Sequence, residues 1–339
     1  MFDYLFRRAK VIYATSPLAR VVVKKITTSS TYKSLVQNRI KAQIADRTVP
    51  LNLIIETSSL CNAACLMCPY RSLKRARKIM DRPTWEKIID RLKKERLLIN
   101  KVFFSGMGEP LIDPDLLDRI KQVKDLGYYV KLYTNASWLK PEVSQKLIDL
   151  KVNEINISFN GTNKREYESI MKLDYETTLR NIESLLKIKT ENHTHQPIIR
   201  ISSVLLKQNE KNVKNHLTRW SKVVKSVGVS IAHEWGGTIS AKTSHHFDKT
   251  RVFPCRSLWH TINIDSCGNF VICCRDYESN FVLGNIMTDS FAKIEKSPLL
   301  SKFRSLHLGY DQSKLPEMCK RCNFPYQEGV EWFLPRSSD

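Results

Sequence analysis

From residue 51 onward, apolar residues alternate between two spacings. Short runs rich in Ile, Val, Phe and Tyr read as strands: "LNLIIET", "KVFFSG", "YYVKLYTN", "VNEINISFNG", "PIIRISSVLLK" and "GVSIAHEW". Between them lie "RPTWEKIIDRLKKERL", "DPDLLDRIKQVKDLG", "PEVSQKLIDL", "YETTLRNIESLLKIKT" and "NEKNVKNHLTRWSKVVKS", whose apolar residues fall every three or four positions and predict helices. About six strand–helix repeats joined by short connections predict parallel βα units. Six units are too few for a closed eight-fold barrel, so the expected class is α/β, an open partial (β/α)6 barrel.

The alternation stops near 236–254, in "GGTISAKTSHHFDKTRVFP", which reads as a linker. Ahead of the barrel, residues 1–48 hold ten Lys or Arg against Asp3 and Asp46. There Phe2, Leu5, Phe6, Ala9, Ile12 and Tyr13 share one helical face up to Pro17, and Leu35, Val36, Ile40 and Ile44 mark a second helix. The expected division is a basic amphipathic lead-in (1–48), the barrel (49–237), a linker (238–253) and a small C-terminal domain (254–339).

Composition narrows the class. At 42% apolar and 26% charged residues, the 339-residue chain reads as globular. No run reaches the ~18–20 apolar residues that span a bilayer, and Arg7, Arg8 and Lys10 interrupt any signal-peptide core. The expected location is therefore the cytoplasm, where thiols stay reduced and close cysteine spacings point to metal rather than disulfides. There are nine cysteines, and the formal charge is +21, enough to attract anionic partners.

"CNAACLMC" follows the first strand and sets Cys61, Cys65 and Cys68 in a C-x3-C-x2-C pattern. Structural zinc takes four protein ligands. Three thiolates suit a four-iron cluster with one iron left open, placed where parallel sheets bind ligands, beyond the strand C-termini. This segment resembles the radical S-adenosylmethionine (SAM) enzymes, whose open iron binds SAM and whose one-electron reduction cleaves it to methionine and a 5′-deoxyadenosyl radical. Further segments resemble that family in the same order. "SGMGEP" is similar to its GGEP, with Gly106, Gly108, Glu109 and Pro110 matching and Met107 at a glycine-like position. "YTNAS" is similar to TNG, with Ala136 for the glycine, and "ISFNG" to S-x-D-G, with Asn160 for the aspartate. The resemblance implies that Gly106, Gly108 and Glu109 hold SAM, with Asn135, Ser158, Asn160, Arg200 and Ser202 as further contacts.

The remaining six cysteines lie beyond the linker: Cys255, Cys267, Cys273, Cys274, Cys319 and Cys322. "TINID" and "FVICC" predict a hairpin around the turn "SCGN", and "SFAKIEKSPLLSKFRSLHL" predicts one helix. With "CRSLW", "LGNI" and "MCKRC", this region resembles the SPASM/Twitch extension of radical SAM enzymes, with enough cysteines for one auxiliary [4Fe-4S] cluster. Cys255, Cys273, Cys319 and Cys322 are its expected ligands. Cys273 is expected to end the second hairpin strand, Cys274 to point to the opposite face and Cys267 to sit in the turn, both outside the cluster.

A fully ligated auxiliary cluster serves electron transfer. The arrangement resembles single-cluster aminocyclitol dehydrogenases and implies an oxidoreductase acting on an alcohol of a sugar, aminocyclitol or related, possibly phosphorylated, small molecule. A peptide-modifying maturase and a redox-neutral epimerase, with Cys267 as hydrogen donor, are the alternatives. His233, Glu234, Arg275 and Asp276 are the candidate catalytic residues near the substrate. An external reductant such as flavodoxin or ferredoxin is implied. The basic run Arg71, Lys74, Arg75, Arg77 and Lys78 is expected at the barrel mouth, drawing in an anionic substrate, and the lead-in is expected to allow peripheral contact with an anionic membrane. No nucleic-acid-binding motif is present.

Overall fold

In the computed structural model, the described residues are 51–324, apart from Leu97, Gly236, Gly237 and 240–253, together with a helix Ser30–Ala45 and a few positions before it. The apolar face expected over Phe2–Tyr13 and most of the expected linker lie outside them.

Six strands follow the predicted order: β1 (Leu51–Ile55), β2 (Ile99–Phe104), β3 (Tyr129–Thr134), β4 (Glu154–Ser158), β5 (Ile198–Leu205) and β6 (Ser226–Ile231). Each pairs in parallel with the next. On β1, Leu51, Leu53 and Ile55 are buried under the helices while Asn52 and Ile54 face the other way, the two-residue period of a pleated strand. The helix Arg82–Lys94 shows how the cover forms. Asp81 caps it by accepting from the Thr84 N–H, Pro83 stands in its first turn, and Trp85, Ile88, Ile89 and Leu92 are buried.

Three further strands extend the same sheet: β7 (Thr261–Ile264), β8 (Asn269–Val271) and β9 (Val282–Asn285). The strand order β6-β5-β4-β3-β2-β1-β7-β8-β9 has two free ends, so the barrel is open. β7 pairs in parallel with β1, and β8 and β9 follow antiparallel. The cysteine-rich C-terminal region therefore continues the barrel sheet. Ile262, Ile264, Phe270 and Phe291 belong to the main core, whereas Leu258, Ile272, Leu300, Phe303, Leu315 and Cys319 form a second, smaller one.

Five local expectations change. The helix Lys164–Met171 and the strand over "LGNI" were not anticipated. The expected helix over 209–226 is confined to Val213–Ser221. The expected single helix over 290–308 is two, Phe291–Glu295 and Pro298–Leu308, because Pro298 cannot continue a helix from its preceding turn. β8 ends at Val271, so Cys273 and Cys274 lie beyond the strand, and strand alternation does not set their directions.

Candidate functional site: two cysteine centres on one sheet

The first cysteine loop leaves the C-terminal end of β1 and is braced from several sides. The Cys61 N–H donates to the Tyr70 hydroxyl (3.0 Å), and the Ser59 N–H and hydroxyl both donate to the Lys78 carbonyl. Met171, itself buried, places its sulfur 3.7 Å from the Cys65 sulfur. Burial pushes the Cys61 thiol up to about 12 and raises Cys65 and Cys68 as well, because a thiolate there would lack water. All three are free thiols. Such a set becomes anionic on binding a positive metal centre, with loss of protons.

"SGMGEP" packs directly on this loop. A Cβ on Gly108 would lie 2.2 Å from the Ser58 carbonyl oxygen and 2.5 Å from that of Leu60, so no side chain fits. The same approach lets the Glu109 N–H donate to the Leu60 carbonyl (2.8 Å). The Glu109 carboxylate is buried and accepts from the Thr134 hydroxyl (2.6 Å), the Asn135 N–H (2.7 Å) and the Leu111 N–H (3.2 Å). Burial raises its pKa to about 7 against the pull of these donors.

Ala136, which stands for the glycine of TNG, has φ of 62°, the left-handed conformation glycine takes without strain. Asn181 holds this turn by donating to the Ala136 and Ser137 carbonyls. The Asn135 amide donates to Asn62 in the cysteine loop (3.0 Å). Asn160 is buried between strands: its oxygen accepts from the Val204 N–H, and its NH2, which an aspartate lacks, donates to the Met171 sulfur (2.9 Å). On β5, Ser202 bonds Asn156 across to β4, and Ser158 stands beside it in register. Arg200 is paired with Glu154 (2.6 Å), which also takes Lys131 (2.6 Å).

Sequence reasoning missed Glu56, the residue after β1. One carboxylate oxygen accepts from the Arg75 guanidinium (2.8 Å) and the Met107 N–H (2.7 Å), and the other from the Ser266 N–H (3.2 Å). It thus ties the cysteine loop, "SGMGEP" and the β7–β8 turn together. Gly106 is required beside it, since a Cβ there would lie 2.3 Å from the Glu56 Cγ. Nothing in the local sequence marks Glu56, because its partners lie far along the chain.

The basic run is correspondingly reassigned. Arg75 is a buried ion pair, its Nε donating to the Tyr277 carbonyl, and Arg77 lies 4.6 Å over the Tyr70 ring. Both brace the loop rather than forming a free basic rim. Lys78 pairs with Asp81 on the surface, and the Lys74 and Arg75 N–H groups donate to Glu278.

In the C-terminal region, Cys255, Cys273, Cys319 and Cys322 line one small, mostly apolar cavity with Arg275, His307 and Phe324. Burial raises all four thiols, Cys255 to about 12. Cys274 is exposed and does not line the cavity. Cys267 sits in the β7–β8 turn near Asp265, Lys78 and Arg75. Among the described residues, no three His, Cys, Asp or Glu side chains are grouped to hold a single metal ion. A four-iron cluster spreads its thiolates over separate irons, so buried, grouped but not convergent thiols fit a cluster.

Residues 55–219 match the radical SAM superfamily, and residues 255–323 match the iron–sulfur cluster-binding SPASM domain. The chain is a radical SAM protein with a SPASM domain. The cofactors of this class are SAM with the [4Fe-4S] cluster that binds it, and auxiliary iron–sulfur in the SPASM domain. Over 164 residues this radical SAM protein is 29% identical to the tungsten-containing aldehyde ferredoxin oxidoreductase cofactor-modifying protein of Pyrococcus furiosus (48% of this chain, 45% of that one). Over 117 residues it is 34% identical to the PqqA peptide cyclase of Bradyrhizobium diazoefficiens (33% and 29%). The matches thus span less than half of either relative. Two solved structures share the fold: BtrN in complex with AdoMet and 2-DOIA (TM-score 0.58, 17% identity, 81% of this chain and 93% of that one), and Streptococcus suis SuiB bound to precursor peptide SuiA (0.63, 15%, 88% and 76%).

Of the candidate catalytic residues in this radical SAM protein, Asp276 has both carboxylate oxygens occupied by the Asn280 and Phe281 N–H groups, and it shapes the turn after Cys273. His233 is better placed. Asn323 donates its NH2 to the Ala232 carbonyl (3.0 Å), so its oxygen faces His233 Nδ1 at 2.7 Å. That assigns the proton to Nδ1 and leaves the Nε2 lone pair open. Burial, then the nearby Arg275 charge, lower the imidazole pKa to about 4. The charge of Glu234 reaches Cys322. No helix among the described residues is long and apolar enough to cross a membrane.

Proposed function

We propose that this protein is an oxidoreductase that oxidises an alcohol carbon of a sugar, aminocyclitol or related small molecule, phosphorylated or not, by two electrons. The observation that carries this reading is the single cavity lined by Cys255, Cys273, Cys319 and Cys322, which gives a four-iron cluster a full set of thiolates. A cluster so ligated has no open iron for substrate, which leaves electron transfer as its use. When bound, SAM and its cluster supply hydrogen abstraction, and the auxiliary cluster supplies a one-electron acceptor.

The chain's own residues provide the surroundings. Cys61, Cys65 and Cys68 would hold the first cluster. Gly106 and Gly108 would allow close backbone approach to SAM, and Glu109, its carboxylate held by Thr134, Asn135 and Leu111, would anchor the turn beside the SAM amino group. Asn135, Ser158, Asn160, Arg200 and Ser202 shape the strand ends beside it. His233 Nε2 accepts the hydroxyl proton, while its Nδ1–H to Asn323 fixes the ring. The substrate thereby loses one hydrogen atom, one proton and one electron. An external flavodoxin- or ferredoxin-like protein supplies the reducing electron for SAM cleavage.

The test is Cys319→Ala, assayed anaerobically. Wild-type protein should hold about eight irons and couple deoxyadenosine release to ketone formation. The variant should hold about half that iron and release deoxyadenosine with little ketone. Undiminished ketone in the variant would sink the auxiliary cluster as the electron acceptor, and deoxyadenosine release by wild type with no net oxidation of the substrate would favour a redox-neutral epimerase. A second reading, modification of a peptide, draws on the similarity to PqqA peptide cyclase and on the fold shared with SuiB bound to SuiA. It predicts deoxyadenosine release with a precursor peptide and none with sugars.

A further inference from the structure

The two cysteine centres are joined by a stack of three side chains. Trp235, after β6, donates its indole N–H to the Met67 carbonyl (2.9 Å), the residue next to Cys68. The Arg275 guanidinium lies 4.6 Å from the Trp235 ring centroid and 5.6 Å from that of Phe324, two residues past Cys322. Phe324 in turn stacks on the His233 imidazole, with ring centroids 5.5 Å apart. Arg275 also lines the cavity shared by the four C-terminal cysteines.

This arginine is unusual in what it lacks. Among the described residues its guanidinium makes no hydrogen bond or ion pair with a carboxylate, and its buried Nε has no hydrogen-bond partner. The other buried arginines of the site are paired: Arg75 with Glu56, Arg119 with Asp113 and Arg200 with Glu154. Aromatic faces hold a guanidinium in place without neutralising it.

We propose that Arg275, clamped between Trp235 and Phe324, is a positioning residue whose fixed positive charge is shared by the two iron–sulfur centres and raises the reduction potential of both, the auxiliary one more. The physics is electrostatic. Reduction adds a negative charge to a cluster, and a nearby cation in a low-dielectric setting favours the reduced form. Arg275 stands two residues from Cys273 and lines the auxiliary cavity, whereas it reaches the first centre across Trp235, so the auxiliary cluster gains more. That asymmetry favours passage of the substrate's electron to the auxiliary cluster. No proton moves, since the guanidinium stays charged throughout. The inference rests on the two-centre reading above.

The test is an EPR-monitored redox titration of the reconstituted full chain, comparing wild type with Arg275→Gln, Arg275→Lys and the exposed-site control Arg71→Gln. Arg275→Gln should lower both potentials, the auxiliary one further. Arg275→Lys, which keeps the charge, should restore most of the shift, and Arg71→Gln should move neither. Unchanged potentials in Arg275→Gln, a shift at one centre alone, or no rescue by lysine would overturn the proposal. If Arg275→Gln does not fold, the lysine variant carries the test: potentials near wild type support a charge effect, and a loss as large as that of Trp235→Leu assigns the effect to packing and overturns it. The iron content of the same samples separates the two failures, since about four irons in wild type would instead sink the two-centre reading.

Discussion

Replacing Glu56 tests whether one buried carboxylate holds the two cysteine regions together. Glu56→Ala would leave the Arg75 guanidinium, 12% exposed, as an uncompensated buried charge, and would orphan the Met107 and Ser266 N–H groups in a buried setting. Breaking a buried ion pair costs about 3–5 kcal/mol. An orphaned buried N–H costs about 1–3 kcal/mol, and the terms overlap because the three donors share one acceptor group. A loss of about 4 kcal/mol or more is expected, which for a domain of this size lowers the unfolding midpoint by roughly 8–16 °C. Glu56→Gln, which keeps the shape and one accepting oxygen, should lose less. The assay is anaerobic thermal unfolding, together with amide exchange at Met107 and Ser266, which should speed up in the variant. A double-mutant cycle with Arg75→Ala should show strong coupling. Additivity within ~0.5 kcal/mol would refute the reasoning, because independent sites add.

Two further predictions concern the Gly106–Glu109 loop, proposed above to approach SAM, and the imidazole. Gly108→Ala forces its Cβ against the Ser58 and Leu60 carbonyls, so the loop must shift; SAM affinity measured by calorimetry should fall roughly tenfold or more, about 1.4 kcal/mol, and wild-type affinity would contradict the packing. His233 has its pKa lowered to about 4 from an unfolded value of 6.5. Between those values the unfolded chain binds a proton the native state refuses. The His233 contribution is therefore full above about pH 6.5 and lost as pH falls toward 4, worth at most about 3 kcal/mol. The urea midpoint should drop more from pH 7 to pH 5 in wild type than in His233→Phe, and equal drops would refute the shift.

The sequence by itself determined what is encoded locally. Strand and helix periods fixed the order of the six βα units, because side-chain alternation and helical spacing are properties of neighbouring residues. Cysteine spacing and the order of "SGMGEP", "YTNAS" and "ISFNG" marked the cofactor-binding end of the sheet for the same reason. Tertiary structure alone decided which charges are used and which are left open. Arg75 and Arg200, read from sequence as a mouth cation and a SAM contact, are ion-paired to Glu56 and Glu154. Glu56 bonds Ser266 at a separation of 210 residues, and no local pattern carries such a partner. The directions of Cys273 and Cys274 depended on where β8 stops, and the pairing of β7 with β1 made one sheet of two expected domains. Sequence marked Arg275 only as a candidate beside the auxiliary cluster. Only the convergence of Trp235, Phe324 and the two cysteine centres around it, with no carboxylate partner among the described residues, shows its charge to be left open.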